Sequence, residues 1–377
     1  MTTHAKLSAS SSHRWLHCPG SIKAEEGYAD SSSEHANEGS AAHWLGETCL
    51  ESGQQASEFL GQTIADYQVV VSDEMVDAVQ QYIDYVRSLG GNRLVEQRVD
   101  FSHVVSEGFG TADAIVMSGD TLHIVDLKYG KGVKVYAENN SQAMLYALGV
   151  LHDYDYLFQP EKIVLTIVQP RLDHIDEWEV TMNQLQTFAS FAQTAASLAL
   201  QDNAPRYPSD KACQWCKAKA ECVALKNEIE QTLSASFDAI SEIPQPDKLT
   251  LEQISNILSS KKLVTSFLEA VEKFAMARLS NGEEMPGFKL VAGRSNRVIS
   301  DEDFAVRILH QSGYKDEQIY KPVALKTITE LEKLMGKKEF SLTLGDVVVK
   351  PEGAPTIAPT SDPRAPLSVV NASDFGC

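Results

Sequence analysis

Residues 110–130, GTADAIVMSGDTLHIVDLKYG, constrain the fold more than any other stretch. Two β-rich apolar runs flank Gly119-Asp120, a two-residue turn signal. A two-residue loop there pairs Ser118 with Thr121, Met117 with Leu122 and Ile115 with Ile124; carried further, it sets Asp113 opposite Asp126. Lys128, two residues on, shares that face. The opposite face pairs Ala112 with Leu127 and Ala114 with Val125. Both faces are largely apolar, so the hairpin is expected to be buried on both sides. Facing carboxylates repel, and buried charges need a partner or a metal. A divalent cation between Asp113 and Asp126 resolves the conflict, with Lys128 adding positive charge; oxygen ligands suit Mg²⁺ or Mn²⁺. The same residues also allow a plainer arrangement, an exposed hairpin end with an ordinary salt bridge to Lys128.

Around this hairpin the pattern alternates. Residues 40–50 read as a helix with Ser40 as N-cap, and 73–89 as a stronger one, with Met75, Val76, Val79, Tyr82, Ile83 and Val86 at helical spacing. Strands are expected at 94–101, 110–118, 121–129, 133–136 and 162–170, with an edge strand at 178–181. Helices are expected at 140–151 and 182–200. This is a mixed α/β unit with a central sheet. Residues 223–243 read as helix and then linker. A mainly helical unit follows over 245–350, with a hairpin inside 287–299 and helix to about Lys338. Residues 351–377 carry five prolines, which indicates an extended or disordered tail.

Composition limits the function classes. Of 377 residues, 43% are hydrophobic and 23% charged, an ordinary globular balance. There is no run long enough for a membrane helix and no apolar signal segment at the N-terminus, so an intracellular protein without a membrane partner is expected. The net charge of -19 argues against a broad basic surface. Lysines do gather at Lys128, Lys131 and Lys134, and at Lys211, Lys217 and Lys219. Six cysteines are too few for a disulfide framework in a chain of this length. Three of them form Cys213-x₂-Cys216-x₅-Cys222, and Cys18, in Trp15-Leu-His-Cys18-Pro-Gly, is the candidate fourth thiolate. Four thiolates suit an iron–sulfur cluster or tetrahedral zinc, and spacing does not separate the two. Cys49 reads as helix core, and Cys377 carries no signal.

The pattern Asp113 followed by Asp126-Leu127-Lys128 resembles the core of the PD-(D/E)XK nuclease superfamily. Gly39-Ser-Ala-Ala-His43-Trp-Leu-Gly-Glu47 resembles the first helical motif of its RecB-like branch, and Gln142-Ala-Met-Leu-Tyr146 its Q-x-x-x-Y motif. His43 with Glu47, and Gln142 with Tyr146, each share a helix face. The cysteine layout is similar to that of the iron–sulfur, four-cysteine nucleases of the same superfamily. The whole resembles a phage and prophage family of unknown function grouped with these nucleases. Two departures stand: the second acid is Asp126 rather than Glu, and Ala112 replaces the usual Pro.

The resemblance implies a restriction-endonuclease-like core over residues 1–230. It implies a divalent-metal-dependent deoxyribonuclease, an exonuclease being the expected mode, acting in phage-type recombination or repair. Asp113, Asp126 and His43, with the Leu127 carbonyl, would hold Mg²⁺ or Mn²⁺. Lys128 would orient water or stabilise charge, and Gln142 and Tyr146 would position DNA or the lysine. Glu47 and Glu96 are further acidic candidates. Cys18, Cys213, Cys216 and Cys222 would hold a structural [4Fe–4S] cluster, with Zn²⁺ as the alternative. The implied partners are DNA and a phage single-strand-binding or annealing protein; an oligomer fits ring-forming relatives. The implied place is the cytoplasm of a bacterial host. Two other readings remain: a catalytically silent DNA-binding or assembly protein with this fold, and a zinc-stabilised phage interaction protein.

Overall fold

The computed structural model describes residues 5–28, 34–236 and 251–289, together with 291, 307–308, 310–311, 315 and 336–344. The chain divides into two compact units, Met1–Met285 and Pro286–Cys377. In the second unit the described residues include a helix at Lys337–Leu344. The linker expected near residue 245, most of the hairpin after Gly287 and the tail after Lys350 lie outside the described residues.

The first unit contains α1 (Ser12–Trp15), α2 (Ser21–Ala24), α3 (Glu34–Ser52), β1 (Thr63–Ile64), β2 (Val69–Val70) and α4 (Asp73–Ser88). It continues with β3 (Asn92–Asp100), β4 (Phe109–Ser118), β5 (Thr121–Leu127), α5 (Ser141–Asp153), β6 (Lys162–Gln169) and β7 (His174–Glu179). It ends with α6 (Met182–Ala199), α7 (Asp210–Cys213), α8 (Val223–Ser236) and α9 (Leu251–Ser280). The β1–β2 pair has no counterpart in the sequence reading. Ser40 lies inside α3 rather than capping it, because the helix already runs from Glu34.

The helices start where local chemistry satisfies their free N–H groups. Ser72 accepts from the Met75 amide at 3.2 Å, and Asn140 from the Ala143 amide at 3.1 Å. Thr181 and Gln184 form a capping box at the start of α6. One face of α4 buries Met75, Val79, Tyr82, Ile83 and Val86. α5 buries a continuous run from Ala143 to Val150, as a crossover helix between parallel strands should.

The main sheet has the order β3-β4-β5-β6-β7. β5 and β6 are parallel, and the other pairs are antiparallel. The β4–β5 hairpin has the expected register: Ser118 pairs with Thr121, Met117 with Leu122, Ile115 with Ile124 and Ala114 with Val125. One face packs on α5, α6 and the buried Trp15. The other packs on α3 and α4. The result is a mixed sheet flanked by helices.

Two expectations are corrected. Ala112 was placed on the face of Ala114 and Leu127, but it lies in the α5–α6 layer with Ile115, while Ala114 and Leu127 lie in the α3–α4 layer. Strict alternation would put Ala112 and Ala114 on one face. The cause is a shared irregularity. The β3–β4 ladder pairs Val95 with Ala114 and Gln97 with Ala112, but skips Glu96 and Asp113. Glu96 has φ 44°, a left-handed conformation that a non-glycine residue adopts only under constraint. Both strands exchange their inward and outward faces at this point.

Residues 133–136 form no strand. Their polar backbone is bound by side chains instead. Gln169 accepts from the Val135 amide and donates to the Gly130 and Val133 carbonyls. Asp176 accepts from the Ala137 amide at 2.7 Å. This meets the requirement that buried backbone groups be paired without adding an edge strand.

Gly149 sets the distance between α5 and the sheet. A Cβ there would lie 2.4 Å from Val99 Cγ1 and 2.6 Å from the Asp100 carbonyl oxygen. Gly149→Ala is expected to destabilise the fold by about 2 kcal/mol through overpacking, measurable by denaturant melts. A variant of wild-type stability would mean that α5 moves freely away from β3.

Candidate active site and the cysteine cavity

Three elements bring carboxylates and an imidazole together. His43 comes from the middle of α3, Glu96 from the irregular position in β3 and Asp113 from the matching position in β4. His43 Nδ1 lies 3.2 Å from Asp113 Oδ1 and 3.8 Å from Glu96 Oε1. One donor atom from each residue falls within 4.8 Å of the others. Asp113 Oδ2 accepts from the Leu127 amide at 2.7 Å, which ties β4 to β5. Leu127 therefore contributes through its N–H to the placing of Asp113.

Asp126 faces a different partner. Its Oδ2 lies 2.8 Å from Lys128 Nζ. Lys128 Nζ donates to Gln142 Oε1 at 3.0 Å, and Gln142 Nε2 approaches the Tyr146 hydroxyl at 3.5 Å. Tyr146 in turn packs on Gly110, where a Cβ would lie 2.9 Å from the ring. The two helix-face residues, Asp126 of β5 and Lys128 just past its end thus form one polar chain. Asp113 and Asp126 are 9% and 3% exposed, so the exposed-hairpin arrangement does not occur. Glu47, one turn along α3 from His43, is not in the converging group; burial, then Glu51, pushes its carboxyl up.

Burial and crowding set the charges. Burial raises the Glu96 pKa to about 7, with Asp113 adding to the effect. Burial works against the charged form of His43, but Asp113, Asp126 and Glu96 outweigh it and raise its pKa to about 9. Burial raises Asp126, whereas His43 holds Asp113 below the ordinary range despite burial. Burial opposes the Lys128 charge, and Asp126 and Asp113 overcome it. Crowded negative charge favours the protonated forms of His43, Glu96 and Asp126, a balance that a bound cation would shift. One imidazole and carboxylate oxygens form a mixed N/O set that fits Mn²⁺ or Mg²⁺.

Sequence reasoning ranked Glu96 low, because only the β3–β4 register reveals that it sits beside Asp113. It missed Gln169 and Arg171 altogether. Arg171, 11% exposed, lies 3.2 Å from Glu38 and 3.4 Å from Glu74, with its guanidinium 4.5 Å from the Tyr129 ring centre. Lys131 also pairs with Glu74. Arginine after β6 and lysine after β5 thus meet acids from α3 and α4 at the carboxyl ends of the parallel strands.

The four cysteines of the motif line one cavity, with Ser21, Arg206 and Lys219 among its other walls. Cys18 Sγ accepts from the Tyr207 amide at 3.3 Å. Gly20 donates to the Pro205 carbonyl at 2.8 Å, and a Cβ on Gly20 would lie 2.5 Å from the Ala204 carbonyl oxygen. The N-terminal segment is therefore pressed against the loop that leads to Cys213. Burial pushes the thiols of Cys18 and Cys213 up, and that of Cys216 to about 12. Cys213 also packs with Leu225, Ile229 and the α9 residues Leu263, Val264 and Phe267. Cys49 is core in α3, as expected, with its thiol raised to about 11 by burial. Cys377 lies outside the described residues.

Among the described residues, no helix is long and apolar enough to cross a membrane. A solved structure titled "Crystal structure of SSO0001" is 18% identical to this chain and covers 59% of it and 89% of that chain, with a TM-score of 0.28. At that score the likeness carries no argument. Residues 4–365 match the model of a family described as "Protein of unknown function (DUF2800)", and the chain belongs to that family.

Proposed function

We propose that this protein is a divalent-metal-dependent deoxyribonuclease of the RecB-like type, hydrolysing phosphodiester bonds, with exonucleolytic action in phage-type recombination or repair. One observation carries the reading: His43, Glu96 and Asp113 converge beside the chain Asp126–Lys128–Gln142–Tyr146. A bound divalent cation supplies Lewis-acid charge and a more acidic water. His43, Glu96 and Asp113 are the residues that would hold it, with Asp126 next to them. Leu127 fixes the orientation of the Asp113 carboxylate. Asp126 and Gln142 hold the Lys128 ammonium in one place, where it can meet charge developing on a phosphoryl oxygen. Tyr146, seated on Gly110, limits the movement of Gln142.

The cysteine cavity supports a second element of the proposal. Four thiols on one cavity wall fit a group with four thiolate ligands. A [4Fe–4S] cluster would fill that role and act as a staple between the two ends of the nuclease unit. DNA is the proposed partner, alongside a phage single-strand-binding or annealing protein.

The test is loss of end-labelled linear DNA in Mg²⁺ or Mn²⁺, with wild type beside Asp126→Ala. Cleavage by the wild type alone is expected. Equal, negligible loss in both would overturn the enzyme reading and favour a silent binding protein.

The charge distribution leads to a further expectation. Lys131 is paired with Glu74, Lys219 donates to Gln214 and Ser266, and the chain carries a charge of -19. DNA binding should involve few phosphate contacts. A slope of log K against log salt no steeper than about -3 is expected, near 0.9 per phosphate neutralised. A slope near -8 would contradict it.

A further inference from the structure

The loop between β5 and α5 begins and ends at the site. Lys128 opens it and Gln142 closes it, and these two are hydrogen-bonded to each other at 3.0 Å. Between them the backbone is fastened on both sides of Tyr136. The Val135 amide donates to Gln169 at 3.1 Å, and the Ala137 amide to Asp176 at 2.7 Å. A carbonyl only accepts, so His174 Nε2 donates to the Val135 carbonyl, at 2.8 Å. Asn140 Nδ2 donates to the Tyr136 carbonyl at 3.3 Å. Together these bonds hold the loop in one conformation.

Tyr136 is nevertheless 48% exposed. Its ring meets that of the buried His174 at 5.4 Å and 73°, an edge-on contact. The ring is therefore steadied from the protein side while much of it faces solvent. Lys134 Nζ lies over it, 5.7 Å from the ring centre, near the outer limit of a cation–π contact. An exposed contact of that length gains little, so the ammonium is free to turn to an anion. Other positive charge on the loop is committed: Lys131 pairs with Glu74, and Glu138 is exposed close by in the chain. A dense row of phosphates does not suit such a surface. An aromatic face beside one lysine suits a ligand that offers a flat ring next to one negative charge. A nucleotide of an unpaired strand does so. In a duplex the bases are stacked on each other and present no face.

We infer that Tyr136 and Lys134 form a single-strand contact beside the site, an unpaired base stacking on the Tyr136 ring while Lys134 meets the adjoining phosphate. Stacking supplies affinity that a chain of charge -19 does not gain from phosphate contacts alone. This rests on the deoxyribonuclease reading for its purpose, and adds single-stranded DNA as the class of substrate. The fastened loop makes the ring a fixed platform, so little freedom is lost when a base settles on it.

The experiment uses the full chain as wild type, Tyr136→Ala, Tyr136→Phe and Lys134→Ala. Phenylalanine keeps the ring, whereas alanine removes it. Binding is followed by fluorescence anisotropy in EDTA, where no strand is cut. The probes are labelled oligo(dT), an abasic strand of the same length and a duplex of that length. Tyr136→Ala should weaken oligo(dT) binding about tenfold, the loss of one base–aromatic stack, and Tyr136→Phe should stay near wild type. Binding of the abasic strand and of the duplex should be equal in wild type and Tyr136→Ala, which a general disturbance of the loop would not leave unmoved. Lys134→Ala should make the salt slope for oligo(dT) shallower by about 0.7, the value of one phosphate on a single strand; an unchanged slope would overturn the phosphate contact. Oligo(dT) binding unchanged in Tyr136→Ala would overturn the inference, as would a wild type that binds abasic and oligo(dT) strands equally or binds no single strand at all. Failure of the nuclease reading looks different. Oligo(dT) binding that depends on Tyr136, with no cleavage of any DNA in Mn²⁺, would dismiss the enzyme and keep the single-strand contact.

Discussion

Asp113→Asn is expected to abolish the rise in melting temperature that Mn²⁺ gives the wild type, and to lower DNA cleavage about a thousandfold. The side chain has two functions. One oxygen faces His43 at 3.2 Å, and the other accepts from the Leu127 amide at 2.7 Å. Asparagine preserves the second contact and removes the charge. Without a cation, the substitution also takes one negative charge from a cluster that includes Glu96 and Asp126. The cation-free melting temperature should therefore stay within a few degrees of wild type. With cation at a hundredfold over its dissociation constant, the wild type should gain about 2.7 kcal/mol, and the variant nothing comparable. Thermal melts with and without Mn²⁺ separate these cases. A variant that keeps both the melting shift and wild-type cleavage would exclude Asp113 as a ligand.

Cys18→Ser should have the largest effect on the fold itself. Cys18 and Cys213 are far apart in sequence, yet line the same cavity. A group shared between them closes a long loop around the whole sheet, so its loss releases a large chain entropy. Structural four-ligand metal sites contribute on the order of 10 kcal/mol to folding. Loss of one ligand should lower the melting temperature by roughly 10 °C or more and remove the bound metal. Cys49→Ala is the matched control: that thiol is core in α3, and its loss should cost on the order of 1 kcal/mol with metal content unchanged. Iron, acid-labile sulfide and zinc are measured on anaerobically purified protein. A brown wild type supports iron–sulfur, and a colourless one with a single zinc replaces it. Cys18→Ser with wild-type metal and melting would remove the staple altogether.

Much of the site was legible because its signals are local. The Gly119-Asp120 turn set the β4–β5 register from Ser118–Thr121 to Ala114–Val125, where the ladder ends one residue short of the expected Asp113–Asp126 pair. The i, i+4 spacing of Gln142 and Tyr146 put them on one helix face, and they meet in the structure. The caps Ser72 and Asn140 and the apolar faces they precede marked α4 and α5. The Cys213, Cys216, Cys222 spacing pointed to a fourth thiol elsewhere, and Cys18 lines the same cavity. Glu96 was visible only as one acid among many. Its role depends on β3 lying beside β4 in one register and on a backbone φ of 44° at that residue. Neither is encoded in a short window.

The sequence by itself determined which segments alternate between sheet and helix, the hairpin register and the residue types available for chemistry, because period, turn residues and spacing act over a few neighbours. The tertiary structure alone decided which of those residues meet. The skipped Glu96–Asp113 pair exchanges the strand faces and brings both carboxylates to His43. Gln169 replaces an expected strand by binding the 130–135 loop from a different part of the sheet. Ser12 docks on Ser141 at the start of α5 and so ties the N-terminal turn to the helix that carries Gln142. Each depends on contacts between residues distant in the chain, whose closure is governed by the packing of the whole unit rather than by any local preference.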